Sequence, residues 1–378
     1  MFFRNIVGQT IIKQRLIQSV KDGFIPHAQL ITGNQGTGTL ILALAYIRYL
    51  YCTNRQEKDA CGTCPSCQKF DKLVHPDLHF IFPIINKKRR EDKKEALCHD
   101  FLPEWRNFVL TTPYADFTSW LINIGEENAQ GLIYARESDD IMRKLRFKAY
   151  EADYKSVIIW LPEKMHETAA SRLLKLLEEP PEKTVFLLVS EEPDKIIATI
   201  CSRMQVMAVP PIADQDLFQT LQEKYDIPDQ DIWHAIRLAE GSYEKATKIL
   251  SSVEDNESYL NLFTTIMRNS WQKNILSIKV ETDKFTSMSR AQQKKFLMYA
   301  QQMIRENFLY RLNELKINFM NHKENEFAIK FHPYVNETNV IKFMEEFSLA
   351  EQHIESNINP RMVFFDLSMK IIALLNNN

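Results

Sequence analysis

The sequence predicts an α/β fold over residues 1–209, a parallel sheet with helices on both faces, followed by helices alone to residue 378. Three observations carry this expectation. Short apolar runs at 28–31, 155–159, 184–189 and 204–209 alternate with stretches of helical periodicity, and strands separated by helices imply a parallel sheet covered on both sides. A glycine-rich loop follows the first run and opens into helix-forming sequence, the context a phosphate loop requires. From about residue 254 nearly every segment is helical in its spacing.

The first helix spans 11–20 by its apolar spacing, and the strand at 28–31 leads into Thr32-Gly33-Asn34-Gln35-Gly36-Thr37-Gly38-Thr39-Leu40. Gly33, Gly36 and Gly38 stand where a backbone must turn tightly and bring its N–H groups close to a phosphate. Two working positions have changed. Thr39 occupies the place of the Lys that reaches the β- and γ-phosphates, and Leu40 the place of the Ser or Thr that holds Mg²⁺. The loop is therefore a degenerate phosphate loop, expected to be empty of ATP or ADP. A helix follows over 41–50.

Six cysteines occur, and four of them cluster: Cys61, Cys64 and Cys67 at two-residue gaps, with Cys52 nine positions before Cys61. Gly62 and Pro65 supply tight turns that let neighbouring sulfurs converge on one ion. Four soft ligands suit a closed tetrahedral structural Zn²⁺ site, with an iron–sulfur cluster as the alternative. Cys98 and Cys201 have no such neighbours and read as small apolar residues. His75, before Pro76, reads as a packed or capping residue.

The segment 83–130 breaks the α/β rhythm. It opens with a charge run at 87–94 and continues through Trp105, Tyr114, Phe117 and Trp120. The run reads as a solvated loop, with DNA-backbone contact as the sharper alternative. An amphipathic helix at 138–147 places Ile141, Met142 and Leu145 on one face. The strand at 155–159 then ends in Trp160, Leu161 and Pro162, where a working ATPase carries an Asp for the metal-bound water. Glu163 lies past that end and would have to reach back. A helix at 166–179 and strands at 184–189 and 204–209 complete the α/β region.

Pro210 and Pro211 punctuate the chain. A helical stretch over 210–253, broken at Gly241-Ser242, forms a second, small domain, and 254–378 forms a third. There Phe296, Ala300, Met303 and Phe308 share one face, as do Phe364, Leu367, Ile371 and Leu374. No internal repeat is visible. The length and the 45% apolar composition allow two or three domains with real cores. A formal charge of -2 does not mark an autonomous nucleic-acid binder. No apolar stretch is long enough to span a bilayer and the start is not a signal peptide, so a cytoplasmic protein is expected.

On specific motifs the chain resembles the delta-prime family of bacterial DNA polymerase III clamp-loader subunits, within the AAA+ superfamily. They are Ile6-Val7-Gly8-Gln9 with Ile25-Pro26-His27-Ala28; the cysteine module 52–67 followed by His75-Pro76-Asp77; Leu173-Leu174-Lys175-Leu176-Leu177-Glu178-Glu179-Pro180-Pro181; Thr184-Val185-Phe186; and Ser202-Arg203. Asn357-Ile358-Asn359-Pro360-Arg361 is similar to the entry to that family's last collar helix. Ser171 and Arg172 depart from its usual Asn-Ala, and Met204 from its Ser-Arg-Cys signature. The resemblance implies an AAA+ domain at 1–209 carrying a zinc module at 52–67 and an insertion at 83–130, a helical lid at 210–253 and a collar at 254–378.

The working ATPase subunits of such complexes share these signatures but keep intact phosphate loops and acidic strand ends. The losses here thus imply the inactive role. In that ring-like assembly each ATP site lies between neighbours and the Arg of Ser-Arg-Cys is supplied in trans, which implies Arg203 as an arginine finger. Expected partners are the other clamp-loader subunits (ATPase and delta subunits), with the sliding clamp and primer-template DNA in the complex, and no membrane. Two other classes stay open: a nucleotide-binding AAA+ ATPase with divergent motifs, and a zinc-module protein that binds DNA alone.

Overall fold

Short runs of Ile, Leu, Val and Phe that are apolar on both faces can only be satisfied between two layers of helices, and three of the five strands are buried at every residue. The computed structural model describes residues 1–85, 96–114, 116–125, 130–251, 253–313, 318 and 320–376; the charge run at 87–94 lies outside them. The strands are β1 (Ala28–Thr32), β2 (Leu78–Ile81), β3 (Lys155–Trp160), β4 (Thr184–Ser190) and β5 (Gln205–Ala208). They form one sheet in the order β2-β3-β4-β1-β5, every pair parallel. The registers Ala28↔Phe186 and Ile81↔Ile159 bring the carboxyl ends of β1, β3 and β4 to one edge. β1, β3 and β4 lie inside, whereas β5 at the edge exposes Gln205, Val206 and Ala208.

The helices of this α/β region are α1 (Thr10–Lys21), α2 (Thr39–Tyr51), α3 (Pro65–Asp71), α4 (Leu102–Thr111), α5 (Phe117–Asn123), α6 (Ala135–Leu145), α7 (Glu167–Glu178), α8 (Ala198–Cys201) and α9 (Asp214–Lys224). Next come α10 (Asp229–Ala239), α11 (Tyr243–Ser251), α12 (Val253–Trp271), α13 (Ile275–Ser287), α14 (Arg290–Arg311), α15 (His322–Phe331), α16 (Val340–Glu355) and α17 (Pro360–Asn376). Two compact units result. One comprises Met1–Tyr225 with Ala239–Ala246, the other Asp226–Leu238 with Thr247–Asn378. The stretch 210–253 thus contributes residues to both.

β2 was not legible in the sequence. Its four residues, Leu-His-Phe-Ile, are too few to show a period, and only pairing with β3 makes them a strand. The described residues of 83–130, for their part, contribute to the first unit's core. Trp105, fully buried, stacks on Phe82 with ring centroids 4.3 Å apart and meets Trp120 edge-on at 5.2 Å and Trp160 of β3 at 5.1 Å. The Trp120 indole donates to the Pro83 carbonyl at 2.8 Å. Aromatic edges and faces packed this way hold α4 and α5 to the sheet.

In the second unit Phe296, Ala300 and Met303 are buried together, with Phe308 packed against them. Phe285 of α13 and Phe364 of α17 stack with centroids 4.1 Å apart, so the two faces read from the sequence belong to one all-helical core. Among the described residues no helix is long and apolar enough to cross a membrane.

Candidate functional site

The degenerate phosphate loop joins β1 to α2 at the carboxyl edge of the sheet. Gly36 and Gly38 have φ of +76° and +91°, backbone that side-chain-bearing residues rarely adopt. Gly33 is needed for closeness: a Cβ there would lie 2.9 Å from the Val209 carbonyl oxygen and from the Thr39 methyl. Thr39 and Leu40 are both buried. Where a lysine amine would reach a phosphate, Thr39 instead packs its methyl on Gly33. The loop is closed by its own hydroxyl, with Thr37 Oγ1 donating to the Asn34 carbonyl at 2.7 Å. Gln9 ties it to the Pro210 carbonyl at 2.7 Å.

Glu163 is held at the end of β4, on Ser190, whose carbonyl accepts from the Gly33 N–H of the loop at 3.2 Å. After β3 the backbone turns through Leu161 in the left-handed region, and the Glu163 carboxylate accepts from Ser190 Oγ at 2.8 Å and from the backbone N–H of Glu191 at 3.0 Å. Its charge is committed to the end of β4. Glu191 beside it is pushed up to about 7, by burial first and then by Glu163, Asp116, Glu244 and Glu192. Several carboxylates thus act on one another near the end of β4.

The raised Glu191 pKa gives a pH-dependent expectation. Glu191 is protonated more readily in the fold than in the unfolded chain, so its contribution to stability is fully present below an ordinary carboxylate pKa and lost as pH rises through about 7. Glu191→Gln keeps the shape and removes the charge. Its melting temperature is expected above that of the parent at pH 8, with the gap closing by pH 5. An equal gap at both pH values would show that Glu191 does not titrate in this range.

The four predicted metal ligands come together. Cys52 caps the C-terminus of α2, Cys64 caps the N-terminus of α3, and Cys67 lies in the first turn of α3. The sulfurs of Cys52, Cys61, Cys64 and Cys67 all lie within 4.8 Å of one another, and those of Cys61 and Cys67 are 4.0 Å apart. Four thiolates around one zinc at about 2.3 Å need sulfur separations of about 3.8 Å, so the cluster fits such an ion. Backbone N–H groups of Thr63 and Cys64 both point at the Cys61 sulfur at 3.4 Å, and that of Cys61 at the Cys52 sulfur at 3.3 Å. Burial opposes the Cys61 thiolate, yet these N–H groups outweigh it and bring the thiol down to about 6.

His75 lies outside the cluster. Its ring rests on Tyr51 with centroids 4.5 Å apart, and its Nδ1 accepts from the Asp77 N–H at 3.2 Å. Asp77 in turn accepts from the N–H groups of Tyr150, Glu151 and Ala152 at 2.6–2.9 Å. Burial resists its ionisation, but those three bonds prevail and its pKa lies below the usual range. The His75-Pro76-Asp77 motif is a bracket between the cysteine module and the approach to β3.

Arg203 lies just after α8, exposed, with its guanidinium paired to the Glu178 carboxylate at 2.7 Å and donating to the Thr199 carbonyl at 2.7 Å. It is far in sequence from the phosphate loop and shares no contact with it among the described residues. Arg172, one of the two departures in the leucine-rich motif, pairs with Asp139 of α6.

Sequence reading missed what covers the loop. The backbone N–H of Tyr243 donates to the Gly36 carbonyl at 3.0 Å, and Gln35 Nε2 donates to Glu244 at 3.1 Å. Tyr114, between α4 and α5, lies against Gly38. The only linear signals were Tyr114 among the aromatics of 83–130 and the break at Gly241-Ser242, and neither says where it packs.

Comparison with known proteins agrees with this picture. Residues 8–213, more than half of the chain, match the family described as DNA polymerase III, delta subunit. DNA polymerase III subunit delta' of Escherichia coli (strain K12) is 27% identical over 231 residues, 61% of this chain and 56% of that protein. The Yersinia pestis delta' subunit is 30% identical over 231 residues, 59% of this chain and 55% of that protein. The tau/gamma subunit of Haemophilus influenzae is 25% identical over 245 residues, 64% of this chain and 29% of that protein. The alignments thus span a little over half the length of the delta' relatives.

Proposed function

The chain belongs to the family of DNA polymerase III delta subunits, and from that membership we propose that it is a non-hydrolysing, delta-prime-type subunit of a clamp loader. One observation carries the non-hydrolysing part: the two phosphate-loop positions that perform chemistry are Thr39 and Leu40, both buried in the protein, and Glu163 is spent on the end of β4. Phosphoryl transfer is catalysed almost wholly by placed charge. A loop with neither the Lys nor the metal-binding hydroxyl lacks that charge.

The fold is retained to serve a neighbour. Arg203 acts in trans: its guanidinium leaves Glu178 and stabilises the transferring phosphoryl group in the adjoining subunit. Exposed ion pairs are worth about 0–1 kcal/mol, so Glu178 parks the guanidinium without trapping it. A planar, permanently charged fork matches the phosphoryl oxygens. The lid at 210–253 and the collar at 254–378 hold the subunit among its partners, namely ATPase and delta subunits, with the sliding clamp and primed DNA acted on by the assembly. Cys52, Cys61, Cys64 and Cys67 hold a structural Zn²⁺, whose chemistry is to cross-link the end of α2 to α3.

The experiment is direct. The purified chain should give no ATP turnover above background and no magnesium-dependent ATP binding by calorimetry, while co-purifying with the other clamp-loader subunits when expressed with them. Tight, magnesium-dependent ATP binding by the isolated chain would overturn the inactive assignment.

A further inference from the structure

The region 83–130 and the loop at 33–38 meet at one side chain. Tyr114 sits between the end of α4 at Thr111 and the start of α5 at Phe117. Its hydroxyl accepts a hydrogen bond from the Val7 backbone N–H at 2.8 Å. Its ring lies where a Cβ on Gly38 would come within 3.0 Å of it. The ring also packs on Tyr243, with centroids 4.7 Å apart, and Lys224 donates to the Tyr243 hydroxyl at 3.3 Å. On the other side of the loop, a Cβ on Gly36 would collide with Ser242 Oγ at 2.1 Å. Both glycines whose conformation would expose the loop to a phosphate are thus covered by this chain's own residues.

We infer that the degenerate phosphate loop has become the docking seat of the α4 and α5 helices, with Tyr114 as the anchor. The inference rests on the reading of the loop as inactive and says what now uses it. Three elements converge on Tyr114 that no local sequence relation brings together: the Val7 N–H, the Gly38 face and the Tyr243 ring. The Tyr114 hydroxyl satisfies the Val7 backbone donor, which would otherwise need another partner. Docking does more than fill space. Asp116, two residues on, caps α5 by accepting from the Ser119 N–H at 2.6 Å and is one of the carboxylates acting on Glu191.

Hydrogen–deuterium exchange on the intact chain tests this without partners, so its outcome is separate from whether the chain assembles into a clamp loader. Tyr114→Ala should speed exchange about tenfold or more at the amides of 33–40 and of 112–124 together, since local opening free energy sets protection. The α12–α17 helices should be unchanged. Tyr114→Phe keeps the ring and loses only the acceptor for Val7, so a smaller rise centred on residues 6–8 is expected; it also serves if the alanine variant folds poorly. Unchanged exchange at 33–40 in the alanine variant would overturn the inference. So would acceleration confined to 112–124, because the loop would then not depend on the anchor.

Discussion

Arg203→Ala in the reconstituted complex lowers DNA-stimulated ATP hydrolysis and clamp loading while the subunit stays folded and assembles. The side chain is exposed and its ion pair with Glu178 is at the surface, so its removal costs little stability. On the proposed role in trans, the loss is expected at the neighbour's transition state. An arginine finger contributes about 10³-fold or more at the site it serves. Several sites fire in such an assembly, so the bulk rate falls less than that, and clamp loading is the more sensitive readout if every site must fire. Arg203→Lys fails nearly as badly, because a point charge lacks the guanidinium's planar fork. Glu178→Gln is the useful control: it frees the finger without removing it, and activity should persist. An assembled complex carrying Arg203→Ala that loads clamps at the parental rate would leave Arg203 as a surface ion pair.

Cys64→Ser is expected to lose the proposed zinc and loosen the segment between α2 and α3. Purified parent protein should carry one zinc per chain, and the variant none. In zinc-finger peptides the ion supplies about 10–16 kcal/mol and drives folding outright. The loss here is smaller, because the module has other attachments. Asp59 accepts from the Phe3 and Arg4 N–H groups at 3.2 and 3.1 Å, and Arg55 donates to the Tyr49 and Leu50 carbonyls at the end of α2. Arg48, buried in α2, pairs with Asp71 of α3 at 2.6 Å. The expected result is a lowered melting temperature with faster proteolysis at 53–63, and an unaltered all-helical unit. Iron in the parent protein, or a module equally protected without metal, would count against the zinc assignment.

The regions that were legible share a physical property: their signal is local. β1, β3 and β4 are long enough and apolar enough to read as buried strands, and β5 lies within the run at 204–209. The cysteine spacing placed four sulfurs within reach of one ion before any packing was known. Loss of the phosphate-loop Lys and hydroxyl was visible as two letters, Thr39 and Leu40. Helical periodicity placed Phe296, Ala300 and Met303 on one face, and they are buried together. β2, by contrast, has no periodicity of its own, and the region 83–130 looked like an interruption because aromatic content does not reveal which core it joins.

What the sequence by itself determined was the loss of the phosphate-loop Lys and hydroxyl and the close spacing of four cysteines, since both depend on residue identity at short range. Only the tertiary structure decided how those residues are used. Glu163 came to rest on Ser190 and the Glu191 N–H at the end of β4, after the left-handed turn at Leu161. Arg203 came to rest on Glu178, twenty-five positions earlier, because α7 and the α8 turn pack side by side. Tyr114 reached Val7 and Tyr243, each more than a hundred residues away, because the aromatic core around Trp105 holds α4 and α5 against the sheet. Contacts of that sequence separation are selected by burial of the whole core, a collective term that no short window of sequence contains.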